Sequence, residues 1–139
     1  MRRYTITCSE EQLRLISAAL EDYHRFLAGQ CSLEHATSVI SPLEKMREAR
    51  RILDEQVRPL VVPGLSHPGA SYDWAGSNCP NEGQRQQIAM SYGIYREILH
   101  FFAVERGRKD SVYYHPTLTC EEQGPLVHIE SKDVEVEEA

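Results

Sequence analysis

The chain has no apolar run approaching the roughly 18 residues that cross a bilayer, no excess of basic residues, no C-x-x-C pair, and neither a Walker sequence nor a G-x-G-x-x-G turn. Each absence removes a class of protein. Without a long apolar run, no membrane association is expected. The start, MRRYTITCSEEQ, carries two arginines but turns polar before an apolar stretch forms, so a secretory signal is not expected and the cytoplasm is. A formal net charge of −6 with a pI near 5.5 opposes binding along duplex nucleic acid, which needs a basic face to neutralise phosphates. Cys8, Cys31, Cys79 and Cys120 are too scattered for a zinc knuckle or a local disulfide framework, so free, reduced thiols are expected.

What remains is an ordinary globular composition, 41% hydrophobic and 26% charged over 139 residues, enough for one core without staples. There are no internal repeats. The expected organisation is one α+β domain over residues 1–129 and an acidic tail over residues 130–139, where Asp133, Glu135, Glu137 and Glu138 cluster.

Tyr4, Ile6 and Cys8 alternate with Thr5 and Thr7, the period of a half-buried strand. Ser9 and Gln12 form a capping box. Leu13, Ile16, Leu20, Tyr23 and Leu27 then recur at helical spacing up to Gly29, a natural helix stop. Ser41, Pro42 and Glu44 open a second helix, with Leu43, Met46, Ala49, Ile52, Leu53 and Val57 on one side and Pro59 at its end. A third helix is expected from Cys79 or Pro80 to Gly107. Its stripe Ile88, Tyr92, Tyr95, Leu99 and Phe102 is flanked by a second, Met90, Ile94, Ile98 and Phe101, an arc wide enough to predict a central or self-associating helix. Residues 112–115 and 118–120, the turn 121–124 and residues 126–129 read as a hairpin. The economical arrangement is three helices on one face of a small antiparallel sheet made of the N-terminal strand and this hairpin.

Four patterns could carry chemistry. Glu21-x-x-His24 and Glu97-x-x-His100 match the pattern of carboxylate-bridged di-metal bundles, but at about 100° per residue both glutamates fall off the apolar stripes, which favours solvated side chains and no metal or other cofactor. Cys79, before a helix start, sits where a thiol becomes acidic; with only His67 nearby in sequence as a base, a structural thiol is the better reading. Arg47, Arg51 and Arg58 lie one or two turns apart in a helix rich in glutamate; they are either a salt-bridged surface or anion-binding forks beside the next loop.

That loop, PGLSHPGASYDWAGSNCPNEGQR over residues 63–85, is the strongest signal, because a connection much longer than about 6 residues in a compact domain tends to be functional or disordered. Tyr72 and Trp74, on either side of Asp73, can stack on a planar ring. Asn78 and Asn81 can read polar edges, Gly69 and Gly76 allow close approach, and Arg85 can meet an anion at the helix start. The competing reading is an ordered loop whose tryptophan plugs the core.

The segments YTITCSEEQLRLISAALEDYHRFLAGQ and ASYDWAGSNCPNEGQRQQIAMSYGIYREILH resemble small phage and prophage accessory proteins of gut bacteria. The resemblance carries no catalytic residue. It implies an accessory role of the kind filled by inhibitors of host defence nucleases and by sponges for nucleotide immune signals. The leading expectation is therefore a non-enzymatic, oligomeric binding protein that captures a small anionic or nucleotide-like ligand through Tyr72, Asp73, Trp74, Asn78, Arg85, Arg58, Arg51 and Arg47. The alternatives are an acidic inhibitor of a host defence protein and, third, a metal-dependent hydrolase or oxidase using the Glu-x-x-His pairs.

Overall fold

A computed structural model describes residues 1–65, 67 and 69–133, and among them the fold is entirely helical. The elements are α1 (Glu10–Ala28), α2 (Glu34–Thr37), α3 (Leu43–Ile52), a π turn (Leu53–Val57), α4 (Arg58–Val61) and α5 (Glu82–Glu105), followed by two short 3₁₀ turns, Val112–Tyr114 and Glu121–Gln123. The acidic tail expected over residues 130–139 lies outside the described residues from position 134 on. No helix among the described residues is long and apolar enough to cross a membrane.

The expected antiparallel sheet is absent among the described residues, which overturns the α+β class. Tyr4 and Ile6 are exposed, and among the described residues no backbone hydrogen bond involves positions 1–8. The C-terminal pattern is interrupted by Pro116 and Pro125 and by the two 3₁₀ turns. Alternation describes a strand only where a neighbouring strand accepts its backbone groups, and neither segment finds one among the described residues.

The ends of α1 form as local chemistry dictates. Gln12 N–H donates to Ser9 Oγ at 3.1 Å and Ser9 N–H donates back to Gln12 Oε1 at 2.9 Å. Gly29, at φ +107°, ends the helix; a Cβ there would stand 2.9 Å from Val62 Cγ1, so the position also needs glycine for packing. The short α2, not anticipated, is capped from another helix: buried Asp22 on α1 accepts the N–H groups of His35 at 3.0 Å and Ala36 at 2.8 Å. Arg50 ties α3 to it by donating to Thr37 Oγ1 at 2.7 Å and Glu34 O at 3.0 Å.

The second helix passes Pro59, where it was expected to stop, and reaches Val61 as α4. In the π turn just before the proline, Arg58 N–H bonds to Leu53 O, five residues back. This widened turn accommodates a ring that would otherwise strike the preceding turn and a residue that has no N–H to give. The third helix starts later than expected, because Asn81, not Cys79 or Pro80, is its N-cap and accepts Gln84 N–H at 2.8 Å.

α5 packs along α1, with Ile88, Ala89, Ser91, Tyr95, Ile98, Phe102 and Ala103 buried. Ser17 on α1 donates to Tyr95 O across the pair at 3.3 Å. The chain's own C-terminal segment packs on the face of α5 that carries Gly93, Arg96 and His100, beside the second apolar stripe. Arg96 lies 4.6 Å from the Tyr113 ring, His100 Nδ1 is 2.8 Å from Tyr113 O, and Gly93 lies against Leu126. Met90 stays 45% exposed.

Candidate ligand cleft

The 63–85 loop is pinned at several points. Arg58 donates to Gly29 O at 3.0 Å, to His67 O at 3.2 Å and to Ala70 O. Tyr72 N–H donates to Ala28 O at 2.7 Å, and Gln84 Nε2 bonds Leu27 O at 2.8 Å and Val61 O at 3.1 Å. Tyr72, 5% exposed, packs with Ala28, Val62, Cys79 and Ile88 as one core cluster. Its burial pushes its phenol pKa up.

Asp73 organises the next turn: its Oδ1 accepts the N–H groups of Ala75 at 3.1 Å and Ser77 at 2.9 Å, and Ser77 Oγ donates to Oδ2. Burial works against the carboxylate, but the hydrogen bonds from Ser77, Ala75 and Gly76 prevail and hold it below the ordinary range. Asn78 closes the same turn by accepting Asp73 N–H at 3.0 Å. Both side chains are engaged in building the loop.

The arginines expected to bind an anion are dispersed. Arg58 is spent on backbone carbonyls. Arg51 pairs with Glu48 and Glu55, each at 2.6 Å, which raises its pKa further. Arg47 is exposed on α3, and Arg85 pairs with Glu122 at 2.5 Å. Among the described residues none of the four lines the cleft that Trp74 lines. Cys79 is buried with Sγ 3.5 Å from Asn81 O, and all four cysteines are free.

Two clefts border the loop. The larger, about 350 Å³, is lined by Asp54, Glu55, Arg58, Val62, Leu65 and His67 among others, so its cation is already committed and its rim holds two carboxylates. The smaller, about 180 Å³, lies between α1, α5 and the loop and is lined by His24, Arg25, Ala28, Gln30, Tyr72, Trp74 and Tyr95. Here the aromatic rings gather: Trp74 lies 5.1 Å from Tyr92, and His24 lies 5.2 Å from Tyr92 and 5.6 Å from Tyr95 between ring centroids. Trp74 is half-buried against α5, neither a free stacking platform nor a core plug.

The cleft's polar groups are held in fixed roles. Burial, with a smaller push from Arg25, lowers the His24 pKa to about 4, and burial raises that of Tyr95 to about 12, so both rings are neutral near pH 7. Arg25 is oriented by Glu21 at 2.9 Å and by Gln30 Oε1 at 2.8 Å, and Glu21 is braced from its other oxygen by His35 at 3.1 Å. Thus Glu21 serves a salt-bridge network and His24 enters the core, not the solvated position expected for it. Among the described residues no group of three His, Cys, Asp or Glu side chains is placed to hold a metal ion.

Of the residues expected to bind ligand, only Tyr72 and Trp74 line this cleft. His24, Arg25, Gln30 and Tyr95 were not among them. The signal for His24 lay in its spacing from Ser17 and Ala28, seven and four residues away on a helix face beside the leucine stripe. Comparison with protein-family models, curated proteins and solved structures finds no match.

Proposed function

We propose that this protein is a non-enzymatic binding protein that captures a small anionic molecule bearing an aromatic ring, such as a nucleotide signal, in the cleft beneath the 63–85 loop. The observation that carries this reading is the joining of Tyr72, Trp74, Tyr95 and neutral His24 to the Arg25 guanidinium and the Gln30 amide around one opening. The rings give the cleft apolar walls, and the Arg25 guanidinium, held by Glu21 through Nε and by Gln30 through Nη1, keeps Nη2 for a charge-assisted contact with a phosphate or carboxylate. A cavity of roughly 150 Å³ holds benzene, so a cleft of about 180 Å³ admits one ring and leaves the anionic part to project toward Arg25.

Binding is favoured over catalysis by the state of the reactive groups. Cys79 is buried in the apolar cluster, and His24, with its pKa near 4, is poorly matched to general base chemistry at neutral pH. The resemblance to phage accessory proteins supports counter-defence as the setting, with the captured molecule a host immune signal. The test is mass spectrometry of small molecules released by denaturing protein purified from defence-active cells. An aromatic anion recovered unchanged and in stoichiometric amount is expected; release of a chemically converted product, or co-purification of a host protein with no small molecule, would replace this reading.

A further inference from the structure

The cleft is lined by a buried histidine with one ring nitrogen that no described residue bonds. His24 is 6% exposed, and its Nδ1 lies 3.4 Å from the backbone oxygen of Ile88. A carbonyl oxygen can only accept, so the proton of the neutral ring belongs on Nδ1 and Nε2 is left with a lone pair. Among the described residues none bonds Nε2, yet no buried side-chain nitrogen or oxygen there is both sealed and unpaired. Nε2 therefore keeps an opening, and the cleft that His24 lines is the opening available.

The neighbouring groups complete a pattern. Gln30 Oε1 accepts from Arg25 Nη1, which leaves the Gln30 amide N–H groups as donors. An acceptor recessed among aromatic rings, with donors at the rim, complements a planar edge with a donor leading and an acceptor beside it. Cytosine and the six-membered ring of adenine both present that edge, the 4-aminopyrimidine edge. A single-ring cleft of about 180 Å³ admits either one amino group first.

Resting on the proposed ring-binding role of the cleft, we infer that His24 is its specificity-determining residue, accepting at Nε2 a hydrogen bond from the amino group of a 4-aminopyrimidine edge. Burial that holds the imidazole neutral keeps this acceptor available throughout the physiological range.

The test compares AMP with purine riboside 5′-monophosphate, which lacks only the amino group, and CMP with UMP, whose edge is reversed. Calorimetry is run on the wild-type protein, His24→Phe and His24→Gln, with a thermal melt to check folding. AMP or CMP should bind about tenfold or more tightly than its counterpart. His24→Phe should erase that preference, and His24→Gln, which restores an acceptor, should recover part of it. Preference for AMP identifies adenine as the source of the edge, and preference for CMP identifies cytosine. Equal binding within each pair, or a preference that survives in folded His24→Phe, overturns the assignment. If His24→Phe does not fold, the wild-type comparison alone decides. If none of the four binds while another aromatic anion does, the assignment falls and the function of the cleft stands. If no aromatic anion binds, both fall.

Discussion

Acid should destabilise this protein through His24. The imidazole is buried against Tyr92, Tyr95 and the Ile88 carbonyl, and its pKa falls from an ordinary 6.5 to about 4. The unfolded chain therefore binds a proton between pH 6.5 and 4 that the folded chain refuses. Stability conferred by the neutral ring is fully present above pH 6.5 and is lost as pH falls toward 4, at about 1.4 kcal/mol per pH unit and roughly 3 kcal/mol in all. Replacing His24 with phenylalanine keeps an aromatic ring of similar size and removes the titration, at a cost near pH 7 of about 1 kcal/mol for the weak bond to Ile88 O. Urea unfolding of wild type and His24→Phe at half-unit steps from pH 7.5 to 4 reads the difference directly. Carboxylates lowered by their partners, such as Asp73, titrate in both proteins and cancel in the comparison. The variant should gain on the wild type by roughly 2 to 3 kcal/mol across this window. Parallel curves between pH 6.5 and 4.5 would refute the burial of a neutral imidazole.

Arg58→Ala removes the donors to the carbonyls of Gly29, His67 and Ala70, and should cost about 2 to 3 kcal/mol in denaturant unfolding while loosening the 63–85 loop to protease. Trp74→Ala loses a half-buried ring and its contact with Tyr92, so a loss of about 1 to 2 kcal/mol is expected, short of the roughly 3 to 5 kcal/mol of a full core aromatic. Arg85→Ala breaks the pair with exposed Glu122 and removes the stem that packs beside the Gly76 turn; a thermal melt should show a modest loss, while ligand titrations stay close to wild type.

The features legible in the sequence were those set by neighbouring residues. The Ser9–Gln12 box, the Gly29 stop and the stripe of α5 all depend on spacing within one helix, and each forms. The features that were not legible depend on distant partners. Tyr4, Ile6 and Cys8 have the alternation of a strand and find no neighbouring strand among the described residues, while α2 exists because Asp22 reaches across from α1 to cap it. The site follows the same division. The loop sequence pointed to Trp74 and Tyr72, but the cleft is finished by His24, Arg25 and Gln30 from α1 and the turn after it, and by Tyr95 from α5. The loop arginines pointed elsewhere because backbone carbonyls and glutamates had already claimed most of them.

Trp74 is the only tryptophan in the chain and it lines the cleft, so its fluorescence reports occupancy without a label. Titration with nucleoside monophosphates, cyclic nucleotides and inorganic phosphate is the most direct test of ligand capture. A saturable emission change is predicted for at least one ring-bearing anion, absent with phosphate alone and weakened about tenfold or more in Arg25→Ala, which loses a charge-assisted contact to the anion. No saturable change with any ring-bearing anion up to millimolar concentration, or a change that Arg25→Ala leaves intact, would contradict it.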